Sequence, residues 1–133
     1  MPIITAELNA KVIAGEAGCL DDEVALHYDT ADPYAVTLQF LDEDLWGEDS
    51  VWWFDREMLA AGVRAPVGEG RLKVWPLGEK AVMLELHTDG LCDLVAVPVE
   101  ELREFLRLTY VMVPEGAEPE QWDIDQLFQE MTG

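Results

Sequence analysis

Basic residues are what this sequence has least of. Eight Lys and Arg stand against 28 Asp and Glu in 133 residues, a formal net charge of −20. Nucleic-acid affinity comes largely from Lys and Arg displacing counterions, so a field of this sign repels a phosphate backbone. It opposes an anionic membrane surface for the same reason. Cysteine is also scarce. Cys19 and Cys92 lack CxxC spacing and the N-terminal MPIITAELNAKVIAG has no secretory layout, so both read as free, buried thiols in a cytoplasmic protein. No apolar run approaches the ~18 residues of a membrane-spanning helix. The two histidines, His27 and His87, have no Cys or second His at ligand spacing, which argues against zinc. There is no GxSxG, Walker A or GxGxxG element, and Gly68-Glu69-Gly70 lacks a third glycine. The reading is of a protein without cofactor, metal site or integral membrane association, and nothing in it demands an enzyme.

What is present is core material and alternation. Half the residues are hydrophobic and five are Trp, which argues against disorder. The length suits one domain, residues 1–133. Ile4, Ala6, Leu8, Ala10 and Val12 predict a first strand. Gly15 to Glu23 reads as a turn, with strands following near 24–28 and 35–41. Val51-Trp52-Trp53-Phe54, apolar on both faces, predicts a strand covered on both sides. Asp55 caps a short helix from Arg56 to Ala61, which Gly62 ends in a left-handed exit. Residues 68–70 turn the chain into a strand over 71–75 that Pro76 ends, and a hairpin at 88–90 joins two more strands. Pro98 opens a helix with a stripe of Val99, Leu102, Phe105, Leu106 and Thr109. A last helix starts near Asp123, with Ile124, Leu127, Phe128 and Met131 at helical spacing. Strands clustered before helices give an α+β fold.

Three groups invite a functional reading. In LHYDTADPYAVTLQF (26–40), Asp29 and Asp32 flank Thr30 and Ala31 before Pro33-Tyr34. An Asp side chain accepts hydrogen bonds from main-chain N–H groups just ahead of it, and Pro33 fixes its own φ, so the stretch reads as a structural corner between strands. The acidic loop 42–50 places Asp42, Asp44 and Gly47 in an EF-hand-like register, but Trp46 and Trp53 stand where oxygen ligands are required. Five of the eight basic residues fall between 56 and 80, and Arg64, Arg71 and Lys73 are the candidates for a nucleic-acid patch. The candidate interface comprises Val99, Leu102, Phe105, Leu106, Tyr110, Leu127 and Phe128, with packing inside one protomer as the alternative.

The 26–40 segment, followed by Trp53-Phe54, Arg56, Leu59, Gly62, Pro66, Gly68, Gly70, Val74-Trp75-Pro76, Phe105-Leu106, Thr109, Val113-Pro114, Gly116, Glu118 and Asp123-Ile124-Asp125, resembles the SsgA-like proteins of actinobacterial sporulation and cell division. Leu108, Tyr110 and Glu115 depart from that pattern. The resemblance implies a Whirly-like fold of two antiparallel β-sheets with about three helices, assembled as a homotrimer. It implies a non-enzymatic scaffold recruited to the division septum, where it recruits or positions the tubulin-like protein FtsZ with the help of an SsgA-like paralogue. The alternatives are a single-strand nucleic-acid binder of Whirly-like fold and a regulator of local peptidoglycan synthesis or autolysis.

Overall fold

The computed structural model describes residues 3–14, 18–42, 46–88 and 90–120. In chain order its elements are β1 (Ile3–Ala14), β2 (Gly18–Asp29), β3 (Ala35–Phe40), β4 (Val51–Asp55), α1 (Arg56–Gly62), β5 (Val67–Glu69), β6 (Leu72–Leu77), β7 (Ala81–Thr88), β8 (Leu91–Pro98) and α2 (Val99–Met112). The strands form one antiparallel half-barrel in the order β4-β3-β2-β1-β8-β7-β6-β5. This corrects the expectation of two sheets. Two four-stranded meanders do exist, but β1 joins them: it pairs with β2 along its whole length and with β8 at Lys11–Ala14.

Register carries the alternation of each strand into a shared inner face. Val12 lies opposite Val95, Val95 opposite Leu84, and Leu84 opposite Val74. On the other meander Leu26 lies opposite Leu38, and Leu38 opposite Trp52. All of these are buried. Since side chains alternate strictly along a strand, a slip of one residue would turn each set out to solvent. α2 lays Val99, Leu102, Phe105, Leu106 and Thr109 on this face, against β1, β7 and β8. Val99, Leu102, Phe105 and Leu106 are therefore core within one protomer rather than an interface, because an antiparallel half-barrel must bury its concave face on something.

Other expectations are corrected as well. Residues 18–23 are strand, since the long pairing with β1 carries Glu23, Asp21 and Cys19 on the solvent face. Residues 67–69 pair with 72–74 as a short strand, and β6 continues through Pro76 to Leu77. β4 is not covered on both sides: it is an edge strand, and Trp53 is 64% exposed. Both cysteines are free but exposed, because each lies on the outer face. Gly62 is not a left-handed exit. It is buried, its φ is not positive, and it lets α1 lie directly on Val74 of β6. The acidic segment includes a 3-10 turn at Gly47–Ser50, and Trp46 stacks on Phe40 at 3.7 Å while donating to Asp22 Oδ2 at 2.8 Å. The helix expected from Asp123, with Leu127 and Phe128, lies outside the described residues.

Candidate functional site

Helical spacing puts Arg56, Leu59 and Gly62 on the buried side of α1. Asp55 starts the helix, its Oδ1 accepting from the Glu57 N–H at 3.0 Å. Arg56 is consequently driven into the interior at 1% exposure, where a guanidinium is tolerated only with its donors satisfied. Nη1 donates to the Thr109 and Val113 carbonyls at 3.1 and 2.8 Å, and Nη2 donates to Glu118 Oε1 at 2.7 Å. The cation lies over the rings of Tyr110 (4.0 Å) and Tyr28 (5.1 Å). Those carbonyls belong to the end of α2, where a cation also complements the helix dipole. Its backbone N–H donates to the Tyr34 carbonyl at 2.7 Å. One residue thus clamps together the β2–β3 corner, the start of α1 and the end of α2.

The corner itself is closed by hydrogen bonds to its main chain, two of them from side chains. Asp29 Oδ1 accepts from the Ala31 N–H at 2.9 Å, the Asp32 N–H donates to the Asp29 carbonyl at 2.9 Å, and the Tyr28 hydroxyl donates to the Pro33 carbonyl at 3.0 Å. The Asp29 carboxylate is thereby turned onto its own backbone. Pro33 is buried, while Tyr34 is 48% exposed. Tyr110, from the interface set, is half-buried against Arg56, and beyond it Leu108, Val111 and Met112 are exposed.

Burial pushes the Tyr28 hydroxyl up to about 12; Arg56 opposes the shift and Glu118 assists it. A tyrosine whose folded pKa is raised contributes stability that is complete below its unfolded pKa and lost as pH climbs from about 10 toward 12. Two units correspond to roughly 2–3 kcal/mol. Denaturant melts in that alkaline window should show this slope, and Tyr28→Phe should remove most of it. For Glu118, burial favours the protonated acid, but hydrogen bonds from its own backbone N–H, from Arg56 and from the Gly116 N–H outweigh that and hold its carboxyl below the ordinary 4.5. Its contribution is therefore present above pH 4.5 and lost on acidification through the lower, folded value.

The basic residues are divided among separate features. Arg71 lies over the Trp52 ring at 5.3 Å and donates to the His87 carbonyl at 3.2 Å. Lys73 is exposed on β6 opposite Glu85. Arg64 borders a shallow pocket with Glu57, Tyr110 and Glu115. His27 is held by Thr5 Oγ1 at 3.1 Å and Gln39 Oε1 at 3.2 Å. Sequence spacing concealed one grouping: the β7–β8 hairpin sets Cys92 opposite His87, with Sγ 3.8 Å from Nε2 and Glu85 Oε2 3.7 Å from the same nitrogen. This is not the arrangement of a nucleophile with an oriented base, which needs the two ring nitrogens to face different partners. Partial burial, with Glu85 and Asp93 nearby, also pushes the Cys92 thiol up, toward its unreactive form. Among the described residues no three His, Cys, Asp or Glu side chains converge as a metal centre.

The described residues therefore define an α+β half-barrel whose buried guanidinium is committed to a helix end. Its relatives share that fold. Residues 23–118 match the family described as Streptomyces sporulation and cell division protein, SsgA. The chain is 38% identical over 125 residues to the sporulation-specific cell division protein SsgB of Salinispora tropica, covering 92% of this chain and 87% of that protein. It is 35% identical over 127 residues to SsgB of Streptomyces coelicolor, covering 92% and 90%. Among solved structures, an SsgA-like sporulation-specific cell division protein from Thermobifida fusca superimposes with a TM-score of 0.83 at 32% identity, covering 98% of this chain and 96% of that one. The chain belongs to the SsgA family.

Arg56 and Glu118 were legible in the sequence only as family-like positions and as charges. The signal that could have found the clamp is the i, i+3, i+6 spacing of Arg56 with Leu59 and Gly62, which marks a helix face that must be buried.

Proposed function

We propose that this protein acts in sporulation-specific cell division as a non-enzymatic scaffold that recruits or positions FtsZ at future septa, working as a homotrimer alongside an SsgA-like paralogue. The observation that carries this reading is the similarity, over 92% of the chain, to proteins named sporulation-specific cell division protein SsgB. It is supported by the exposed apolar residues Leu108, Val111 and Met112 in the C-terminal half of α2, which have the character of docking surface. Among the described residues no helix is long and apolar enough to cross a membrane, so reaching a septum would depend on a protein or surface contact.

Co-sedimentation with polymerising FtsZ, with and without the paralogue, tests the recruitment step. The expected result is pelleting of this protein with the polymer, and a molar mass of three chains for the free protein. Absence from the pellet in both mixtures would remove the recruitment role. A partner meeting the acidic surface through basic residues would bind less tightly as salt rises toward 0.5 M, well beyond the roughly 0.15 M at which charges a Debye length apart are already screened.

A further inference from the structure

β1 pairs with β2 from Ile3 to Ala14 but with β8 only at Lys11–Ala14, so among the described residues Ile3–Ala10 have a sheet partner on one side alone. β8 ends at Pro98 and the chain turns into α2, which runs along the vacated edge. Between them lies a groove of about 240 Å³. Its β1 wall includes Ile4, Ala6 and Leu8, which share the inner face, together with Thr5 and Glu7 of the outer face. Residues of both faces can line one groove only at a strand's edge, where main-chain N–H and C=O groups alternate outward. The opposite wall is α2, with Phe105 and Leu108 forming the apolar floor and side. Ile3, at 59% exposure, and Val111, at 66%, extend the apolar surface at its ends.

Open strand edges are usually blunted by Lys, Pro or a bulge, and Ile3–Ala10 contain neither Lys nor Pro. The rim carries three carboxylates: Glu7 and Glu101, together with Glu104, whose charge is offset by Arg107 at 2.7 Å. A second copy of this chain would bring the same carboxylates to the rim and a further net charge of −20. We infer that this groove takes an extended segment of another protein, added as a strand beside Ile3–Ala10, with β-branched or other apolar side chains against Leu108 and basic side chains at the glutamates. This goes deeper into the docking reading above and rests on it for its biological role, but not for its test, which needs no FtsZ.

The probe is a short capped peptide alternating valine and lysine, titrated into the intact protein by calorimetry. Saturable binding is expected, with slowed amide exchange confined to Ile4–Leu8. Methylating the peptide nitrogens on one edge removes donors while keeping charge and side chains, and should weaken binding about tenfold or more. Replacing the lysines by glutamates should do the same, as should Leu108→Asp in the protein, whose fold tolerates a polar residue at that exposed position. Equal binding of the methylated peptide would overturn strand addition in favour of simple charge attraction, and no binding of the unmodified peptide would overturn it outright. A drop in the molar mass of the free protein on Leu108→Asp would also overturn it, showing that a second copy covers the groove. FtsZ co-sedimentation that persists after any of these failures would leave the recruitment role standing on another surface.

Discussion

Arg56→Ala is expected to destabilise the protein by about 3–5 kcal/mol, the loss typical of removing one partner of a buried ion pair. Three acceptors lose their donor together: the Thr109 and Val113 carbonyls and Glu118 Oε1. The faces of Tyr28 and Tyr110 lose the cation they flank. Glu118 is itself 15% exposed, so water relieves part of its cost, and Glu118→Gln should cost no more than about 1–2 kcal/mol. Arg56→Lys should fall between alanine and wild type, because one ammonium cannot reproduce a planar fork reaching two carbonyls and a carboxylate. Urea melts followed by Trp fluorescence measure all three. Equal stability of Arg56→Ala and wild type would show that the clamp adds nothing. With total stability of a domain at about 5–15 kcal/mol, a loss of the predicted size leaves little margin, and partial unfolding near physiological temperature is expected.

Gly62→Val is the second large effect. Even a single Cβ at Gly62 overlaps Val74 Cγ1 and Cβ, and Val74 is wholly buried on β6 opposite Leu84. Overpacking of this kind costs about 1–3 kcal/mol, with valine above alanine because its two further methyls enter the same space. The collision predicts its own rescue. Val74→Ala alone leaves a cavity, but combined with Gly62→Ala it removes the Cγ1 overlap while keeping that with the Val74 Cβ, so the double variant should be somewhat more stable than the sum of the two losses, a partial rescue. Additive losses would show that the Val74 Cγ1 contact is not what makes the site tight. A helix-propensity argument predicts the opposite sign for Gly62→Ala, a gain approaching 1 kcal/mol, so the direction of that one change separates the two explanations.

The two effects also mark what sequence reasoning could and could not reach. Strands and helices were readable because their signals are local: alternation in 4–12, the Asp55 cap, and the 99–109 stripe all reappear as β1, α1 and the buried side of α2. Gly62 was misread because a glycine at a helix end has a local explanation, the left-handed exit, and a non-local one, the close approach of another strand. Only the position of Val74 decides between them. The interface candidates Val99, Leu102, Phe105 and Leu106 were ambiguous for the same reason, since an apolar stripe specifies that something covers it and not what. Trp53 erred in the other direction: apolar neighbours suggested a strand covered on both faces, whereas edge position leaves its ring in solvent.

The sequence by itself determined the charge, most of the described strand and helix segments, the β2–β3 corner and membership of the SsgA family, because each is written in composition, short-range spacing or residue-by-residue likeness. Tertiary structure alone decided that the two meanders are one sheet, that Arg56 is a buried clamp on the end of α2, and that, among the described residues, Ile3–Ala10 of β1 keep an open edge beside that helix. These depend on which distant segments meet, and pairing across a sheet is set by register and closure among residues far apart in the chain rather than by any one residue's preference.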